Sequence, residues 1–209
     1  LFAPSSEPQP HRPCTKTKYK VYLDGKFSFV LYKGEVSRFG ICEGAELSED
    51  VTEKIRSEVL IKRAKLRALH LLADMDRTEA SLREKLLQGF CPPDIAEEAI
   101  EYVRSFGYLD DTRFAENFVQ SRQGTKSRQE IRAALLKKGV SEEAADRALE
   151  VCYDEREEAE AIRKLLRKKR FDPSCSQDRE RQKIYGYLAR KGFRYDLIRQ
   201  VIQNCEEDA

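Results

Sequence analysis

The chain has 209 residues, of which 36% are charged and 40% are hydrophobic, and its formal net charge is +2. That length corresponds to one domain or two small ones, and a mean hydropathy of −0.67 favours many exposed helix faces. No apolar run reaches the ~20 residues of a membrane span, and the small net charge excludes a global field of the kind that attracts polyanions. Six cysteines without a CxxC pair and only two histidines argue against a disulfide framework and a zinc site.

The N-terminal part of the chain predicts a β-hairpin. Residues 17–36 are rich in Val, Tyr and Phe, a composition typical of strands. Asp24-Gly25 is a dipeptide favoured in two-residue type I′ turns. The alternation that follows predicts that Phe27 and Phe29 share one face of a strand.

Two further predictions concern the segments before and after this hairpin. Residues 1–16 have neither the basic nor the apolar stretch of a secretion signal, so we expect a disordered tail on a cytoplasmic protein. On the other side, Ser48 predicts the N-cap of a helix, because Val51, Ile55 and Val59 follow at helical spacing. That helix is expected to run on into residues 64–73.

One pattern then occurs three times along the chain. It begins as LREKLLQGF at Leu82, IRAALLKKGV at Ile131 and IYGYLARKGF at Ile184, so the copies are 49 and 53 positions apart. A helical unit too small to bury its own apolar face becomes stable by packing on its neighbours. Such an array presents an extended surface, which favours binding over catalysis.

Each copy predicts three helices. The expected ranges are roughly 60–74, 79–88 and 93–105; 111–123, 128–138 and 142–153; and 156–170, 177–191 and 195–205. Gly89, Gly139 and Gly192 fall where a left-handed residue would end each middle helix. The first copy is one residue short before its glycine, and we expect the difference to be absorbed in the loop that follows.

The predicted fold class is therefore mainly α: three tandem three-helix repeats in an elongated array, with a small N-terminal β-hairpin. The predicted divisions are a disordered tail at 1–16, a hairpin plus helix at 17–59, and repeats at 60–107, 108–154 and 155–209.

The junction FGYLDDTRFAE connects the first two repeats. Asp110 is placed to cap a helix, with Leu109 and Phe114 at the positions of a hydrophobic staple. A metal-binding or acid–base role for Asp110 and Asp111 is disfavoured, because adjacent side chains at a helix start diverge and no histidine or third carboxylate is close in sequence. A plain helix junction, a partner contact and an interdomain hinge stay open. The motif consists of Gly107, Tyr108, Leu109, Asp110, Asp111, Arg113 and Phe114.

Charge is segregated within the repeats, with basic middle helices and acidic third helices. Solvated helix faces explain any single charge, but the repetition predicts a basic edge that follows a phosphate backbone or an acidic protein surface. Tyr185, Tyr187 and Tyr195 lie among these basic residues and could stack on bases or belong to the core. The candidate binding residues are Arg128, Arg132, Lys137, Lys138, Arg163, Lys164, Arg167, Lys168, Lys169, Arg170, Lys183, Arg190 and Lys191.

The chain resembles the RecX family, the regulators of the bacterial recombinase RecA. The resemblance rests on RAKLRALHLLADMDRTEASLREKLLQGF, on SFGYLDDTRFAENFVQSR and on SRQEIRAALLKKGVSEEAADRALE, and it covers residues 60–205. The hairpin looks like the N-terminal extension of Gram-positive members. The third repeat departs from the other two, with Tyr185 where they have Arg83 and Arg132.

The resemblance implies an elongated, curved array of the three repeats that binds along the groove of the RecA–DNA filament. We expect the protein to be a monomer. The resemblance also implies limits on filament growth, on ATP hydrolysis by RecA and on strand exchange, within recombination, DNA repair and the SOS response. No catalytic residue, metal, cofactor or membrane partner is expected, and the chain has no P-loop. The alternative is a stand-alone helical protein that binds single- or double-stranded DNA and acts by competing for it.

Overall fold

The structure, a computed structural model, describes residues 13–15, 17–171 and 178–207. It is mainly helical with a small antiparallel sheet, and it divides into two compact units, Leu1–Leu109 and Asp110–Ala209. The strands are β1 (Pro13–Thr15), β2 (Lys18–Leu23) and β3 (Lys26–Tyr32). The helices are α1 (Lys33–Arg38), α2 (Glu49–Ile55), α3 (Ile61–Asp74), α4 (Glu79–Gln88), α5 (Pro93–Ser105), α6 (Asp111–Arg122), α7 (Arg128–Lys137), α8 (Glu142–Cys152), α9 (Glu155–Lys169), α10 (Asp178–Arg190) and α11 (Tyr195–Glu207).

The hairpin formed by β2 and β3 is present as predicted. Asp24 and Gly25 both have positive φ angles, 49° and 74°, as a type I′ turn requires. A third strand, β1, pairs antiparallel with β2. It lies within the segment 1–16 that was predicted to be disordered; the rest of that segment is outside the described residues.

The pairing of β2 with β3 contains a bulge that the sequence did not predict. Val21 pairs with Phe29 and Tyr22 pairs with Phe27, so Ser28 is an extra residue on β3. The expectation that Phe27 and Phe29 share a face was therefore wrong. Phe29 is 4% exposed in the core, whereas Phe27 is 43% exposed, because a bulge redirects the side chains on one side of it.

The prediction of strand structure was also wrong for residues 33–36. They begin α1, which starts where the backbone N–H of Tyr32 donates to Oε2 of Glu35 at 2.7 Å. Gly34 has low strand propensity, and the carboxylate at the third helical position satisfies a donor at the helix start.

The helix predicted from Ser48 runs from α2 to α3. Ser48 Oγ accepts from the N–H of Val51 at 3.4 Å. The π-helical turn Arg56–Leu60 joins the two helices, and the N–H of Ile61 donates to the carbonyl of Arg56 across five residues. A π turn inserts one residue, which rotates α3 relative to α2.

Helices α3–α5, α6–α8 and α9–α11 form the three predicted repeats. Leu82 and Leu86 of α4 are buried, as are Ile131 and Leu135 of α7 and Leu188 of α10. Each repeat gathers these residues into an apolar cluster, and the hairpin and α2 pack on the first cluster. The repeated apolar pattern is thus the core-facing side of each middle helix.

The glycine prediction was correct for two repeats and wrong for the first. Gly139 and Gly192 both have φ of +83°, but Gly89 is not left-handed and Phe90 is, at +62°. Phe90 lies 49 positions before Gly139, so the spacing is constant and no residue is missing from the first copy. The first repeat places a phenylalanine where the others have glycine.

Candidate functional site

Arg132, one of the predicted binding residues, is held by carboxylates of its own repeat. Its Nε donates to Asp146 at 2.6 Å and its Nη2 donates to Glu142 at 3.2 Å. Arg83 makes the corresponding bond to Glu97 at 2.5 Å in the first repeat. These hydrogen bonds lower the pKa of Asp146 and of Glu97, which identifies a repeated ion pair that joins the middle helix to the third.

The third repeat replaces this ion pair with an aromatic contact. Tyr185 and Tyr195 lie 53 positions after Arg132 and Glu142, and their ring centroids are 5.3 Å apart. Two tyrosines therefore connect α10 to α11 where charged groups connect α7 to α8. The departure of the third copy from the pattern has a structural explanation.

A polar joint connects the second and third repeats. Ser127 Oγ donates to the carbonyl of Lys191 at 2.5 Å, and Lys191 Nζ lies 3.4 Å from Glu130. A Cβ on Gly192 would lie 2.8 Å from Cβ of Gln129. The left-handed turn after α10 therefore fits against the first turn of α7 only with glycine.

Glu158 is a buried carboxyl beside this joint. It is 3% exposed and lies beside the backbone N–H of Arg128 and the Tyr153 hydroxyl. Burial raises the pKa of Glu158, against the opposing effect of these two donors. The group therefore takes up a proton more readily in the folded protein than in the unfolded chain.

This raised pKa predicts a pH dependence of stability. The contribution of Glu158 is fully present below the ordinary glutamate pKa of 4.5 and is lost as pH rises through the higher folded-state pKa. Glu158→Gln keeps a hydrogen-bond acceptor without the titration. The melting temperature of the wild type should therefore fall, relative to Glu158→Gln, between weakly acidic and neutral pH. A constant difference would contradict the assignment; Glu143→Gln, which removes an exposed carboxylate, is the matched control.

The basic run at the end of α9 is partly engaged within the protein. Arg163 and Arg167 lie 2.5 and 3.5 Å from Glu160. Lys164 Nζ donates to the carbonyl of Gly124 at 3.0 Å, which connects α9 to the end of α6. These three side chains have structural partners, and their binding role stays a prediction.

Lys169, near the end of the same run, belongs to a second group of basic residues, which lies around Tyr187. Lys169 Nζ lies 4.8 Å from the ring centroid of Tyr187, and Lys191 Nζ lies 5.8 Å from it. Lys183 and Tyr187 are four residues apart on one face of α10, and Lys191 directly follows the helix. We call Lys169, Lys183, Tyr187 and Lys191 the α10 stripe. Lys168 and Lys183 are exposed and form no ion pair with the residues that the structure describes.

The other predicted residues lie around these features. Lys138 Nζ is within 6 Å of the rings of Phe114 and Phe118, at 5.9 and 5.7 Å. Lys137 and Arg190 are exposed at the ends of α7 and α10. Arg170 is the left-handed residue that ends α9, with φ of +52°.

The junction motif builds the start of α6. Asp110 Oδ1 accepts from the N–H groups of Thr112 and Arg113 at 2.9 and 3.0 Å, the predicted cap. Leu109 is buried in the first unit's core and Phe114 packs on the cluster of the second repeat. The motif residues Gly107, Tyr108, Asp110 and Arg113 are exposed, and Asp111 is half-buried.

Residues 17–171 and 178–207 contain neither a metal-binding cluster nor a membrane-spanning helix. No three His, Cys, Asp or Glu side chains of these segments come together as a metal site would require. No helix among them has the length and apolar character needed to cross a membrane.

Comparison with known families identifies all three repeats. Models described as the first, second and third three-helix domains of RecX match residues 64–102, 110–149 and 156–202. The chain belongs to the RecX family. The three matched RecX domains fall on α3–α5, α6–α8 and α9–α11, and the hairpin precedes the first of them.

Curated RecX relatives support the assignment over most of the chain. "Regulatory protein RecX" of Caldanaerobacter subterraneus subsp. tengcongensis is 32% identical over 188 residues, which are 89% of this chain and 92% of the relative. That of Trichlorobacter lovleyi is 34% identical over 142 residues, 66% of this chain and 92% of the relative. These proteins are named as regulators and not as enzymes, which indicates a regulatory protein.

A solved RecX structure has the same fold. The crystal structure of a regulatory protein RecX matches with a TM-score of 0.64 and 27% identity, over 93% of this chain and 97% of that one. The mainly helical fold with an N-terminal hairpin is therefore established on both sequence and structure.

Proposed function

We propose that this RecX-family protein binds RecA–DNA filaments and mainly inhibits RecA: its ATP hydrolysis, its filament growth and its strand exchange. Membership of the family is the observation that supports the proposal most strongly. The bound surface includes the α10 stripe, because two cations close to one tyrosine ring suit a phosphate backbone or an acidic protein surface. Regulation acts on the partner's ATPase.

The α10 stripe can be tested with cations that have no ion-pair partner among the described residues. Lys169→Glu with Lys183→Glu changes two members of the stripe and leaves the Glu130–Lys191 pair and the Tyr185–Tyr195 contact in place. We expect the double variant to need at least about tenfold more protein to inhibit RecA's DNA-dependent ATP hydrolysis, with a weaker dependence on salt.

The matched control is Lys54→Glu with Lys62→Glu, which makes the same change of charge on exposed lysines of α2 and α3. Its inhibition should match the wild type. Equal inhibition by the α10-stripe variant and the control at several salt concentrations would exclude this stripe from the interface. If both variants weaken inhibition only as far as they weaken binding to naked DNA, competition for DNA explains the effect instead.

A further inference from the structure

The first unit contains a cavity that the regulatory assignment does not use. It has a volume of about 390 Å³ and lies between the hairpin and the first repeat. The hairpin contributes Lys18 and Tyr32, α3 contributes Arg63 and Arg67, and the turn at residues 89–92 closes the far side. We call this cavity the hairpin cleft. The three matched RecX domains begin at residue 64, so the hairpin that forms one wall lies outside them.

The two aromatic rings that line the cleft, those of Tyr32 and Phe90, lie close to cations. Tyr32 is 40% exposed, with Lys18 Nζ at 5.5 Å and the Arg63 guanidinium at 4.7 Å from its ring centroid. Phe90 is 42% exposed, with Lys20 Nζ at 4.6 Å. A ligand that covers such rings gains free energy because apolar surface is removed from water.

The charge of the cleft is positive. Glu35 is a carboxylate close to it, and both of its oxygens lie 2.5 Å from Nη2 of Arg63. Lys18 and Arg67 form no ion pair with any residue that the structure describes. The cleft therefore favours an anionic ligand, and Arg63 is anchored in place by Glu35.

The floor of the cleft is apolar and uncharged. Val30, Leu60 and Leu86 contribute to it. Burial raises the pKa of the Cys91 thiol to about 11, so the thiol is neutral at physiological pH. A flat, uncharged ring system fits such a floor better than a charged side chain does.

Three departures from regular backbone structure surround the cleft. The bulge at Ser28 turns Phe27 outward, so that its ring centroid lies 6.2 Å from that of Phe90. The π turn Arg56–Leu60 sets the direction of α3. Phe90 adopts a left-handed conformation that glycine provides in the other repeats. Bulges, π turns and strained non-glycine residues concentrate at ligand sites because such sites require unusual side-chain directions.

We propose that the hairpin cleft binds a nucleotide of single-stranded DNA. The base lies against Tyr32 and Phe90 over the apolar floor, and the adjacent phosphates contact Lys18 and Arg67. Stacking on aromatic rings with nearby cations is how proteins hold single strands without selecting a sequence. Double-stranded DNA is excluded from the cleft because its bases are already stacked. The proposal does not depend on RecA, so it can fail while the proposed regulation holds.

The test uses the full chain without RecA. A thymidine oligonucleotide of about 12 residues, containing one 5-iododeoxyuridine, is irradiated with the protein, and the cross-linked peptides are identified by mass spectrometry. Cross-links at Tyr32 or Phe90 are expected. Cross-links confined to residues 110–207 would overturn the proposal.

Binding of the same oligonucleotide, followed by fluorescence anisotropy, gives a second test. Arg67→Glu should weaken it by about tenfold, and the slope of log affinity against log salt should fall by about 0.7 for each phosphate that the variant no longer neutralises. Lys62→Glu, on the same helix but outside the cleft, should bind within about twofold of the wild type. Equal weakening in the two variants would mean that only the general charge of the unit attracts DNA, and would overturn the proposal.

Phe90→Gly separates ligand binding from folding. Glycine removes the left-handed strain, which offsets the missing packing of the ring, so the melting temperature should stay within about 5 °C. Affinity for the oligonucleotide should nevertheless fall by about tenfold, because a stacking surface is gone. Unchanged affinity would contradict the proposal.

A fluorescent acidic peptide tests a different occupant. If the peptide binds more tightly than an oligonucleotide of equal charge, a protein segment occupies the cleft and the proposal is overturned.

Discussion

Replacing Gly192 with alanine is expected to lower the free energy of unfolding of the second unit by about 3 kcal/mol. The residue has φ of +83°, and an added Cβ would lie 2.8 Å from Cβ and Oε1 of Gln129. Backbone strain alone accounts for about 1–2 kcal/mol. The collision accounts for the rest, because Gln129 stands on the first turn of α7 and its Cβ cannot rotate away.

Thermal unfolding followed by circular dichroism measures this effect. The transition of the second unit should move down by about 10 °C or more. Gly107→Ala is the matched control: φ is +70°, and an added Cβ meets nothing within 4 Å. Gly107→Ala therefore has the free-energy cost of a left-handed alanine but no steric collision. Equal shifts for the two variants would mean that the added Cβ at position 192 meets no collision, which would contradict the close approach of the turn after α10 to α7.

Ser127→Ala is expected to destabilise the same unit by about 2–3 kcal/mol, because one hydroxyl makes two bonds. Ser127 Oγ accepts from the N–H of Glu130 at 3.1 Å as an N-cap, and it donates to the carbonyl of Lys191 at 2.5 Å. The side chain is fully buried, so water cannot replace either bond. The substitution leaves both a helix donor and a carbonyl unsatisfied.

Ser141 provides the control for this substitution. It caps α8 through the N–H of Ala144 at 3.2 Å, and it is exposed. Ser141→Ala should cost only about 1 kcal/mol, the usual value of an N-cap. Chemical denaturation of both variants gives the comparison. A Ser127→Ala variant no less stable than Ser141→Ala would show that the bond to Lys191 contributes nothing.

Features encoded in short segments could be predicted from the sequence. The caps at Ser48 and Asp110, the Asp24-Gly25 turn and the bounds of the repeat helices depend on neighbouring residues. In the repeats, the apolar spacing identified the buried face of each middle helix because burial follows the helical period.

Features that depend on distant parts of the chain could not be predicted in this way. The bulge at Ser28 moves Phe27 outward, and alternation alone cannot reveal it. The left-handed Phe90 was missed because glycine at position 89 suggested the wrong register. Constant spacing of the flanking aliphatic residues was the signal that would have corrected it.

The candidate binding residues show the same limit. From composition alone Arg132 is an exposed cation, but in the structure its Nε donates a hydrogen bond to Asp146. One signal for this pair was present, because Arg83 and Glu97 are separated by the same 14 positions. The contact of Lys169 with Tyr187 joins two helices, and no sequence period encodes which faces of α9 and α10 meet.

The proposed regulation of RecA filaments can be measured by titrating the protein into RecA filaments already formed on single-stranded DNA and following their ATP hydrolysis. We expect inhibition at concentrations well below that of RecA. An unchanged rate of hydrolysis, even when the protein is as abundant as RecA, would contradict it.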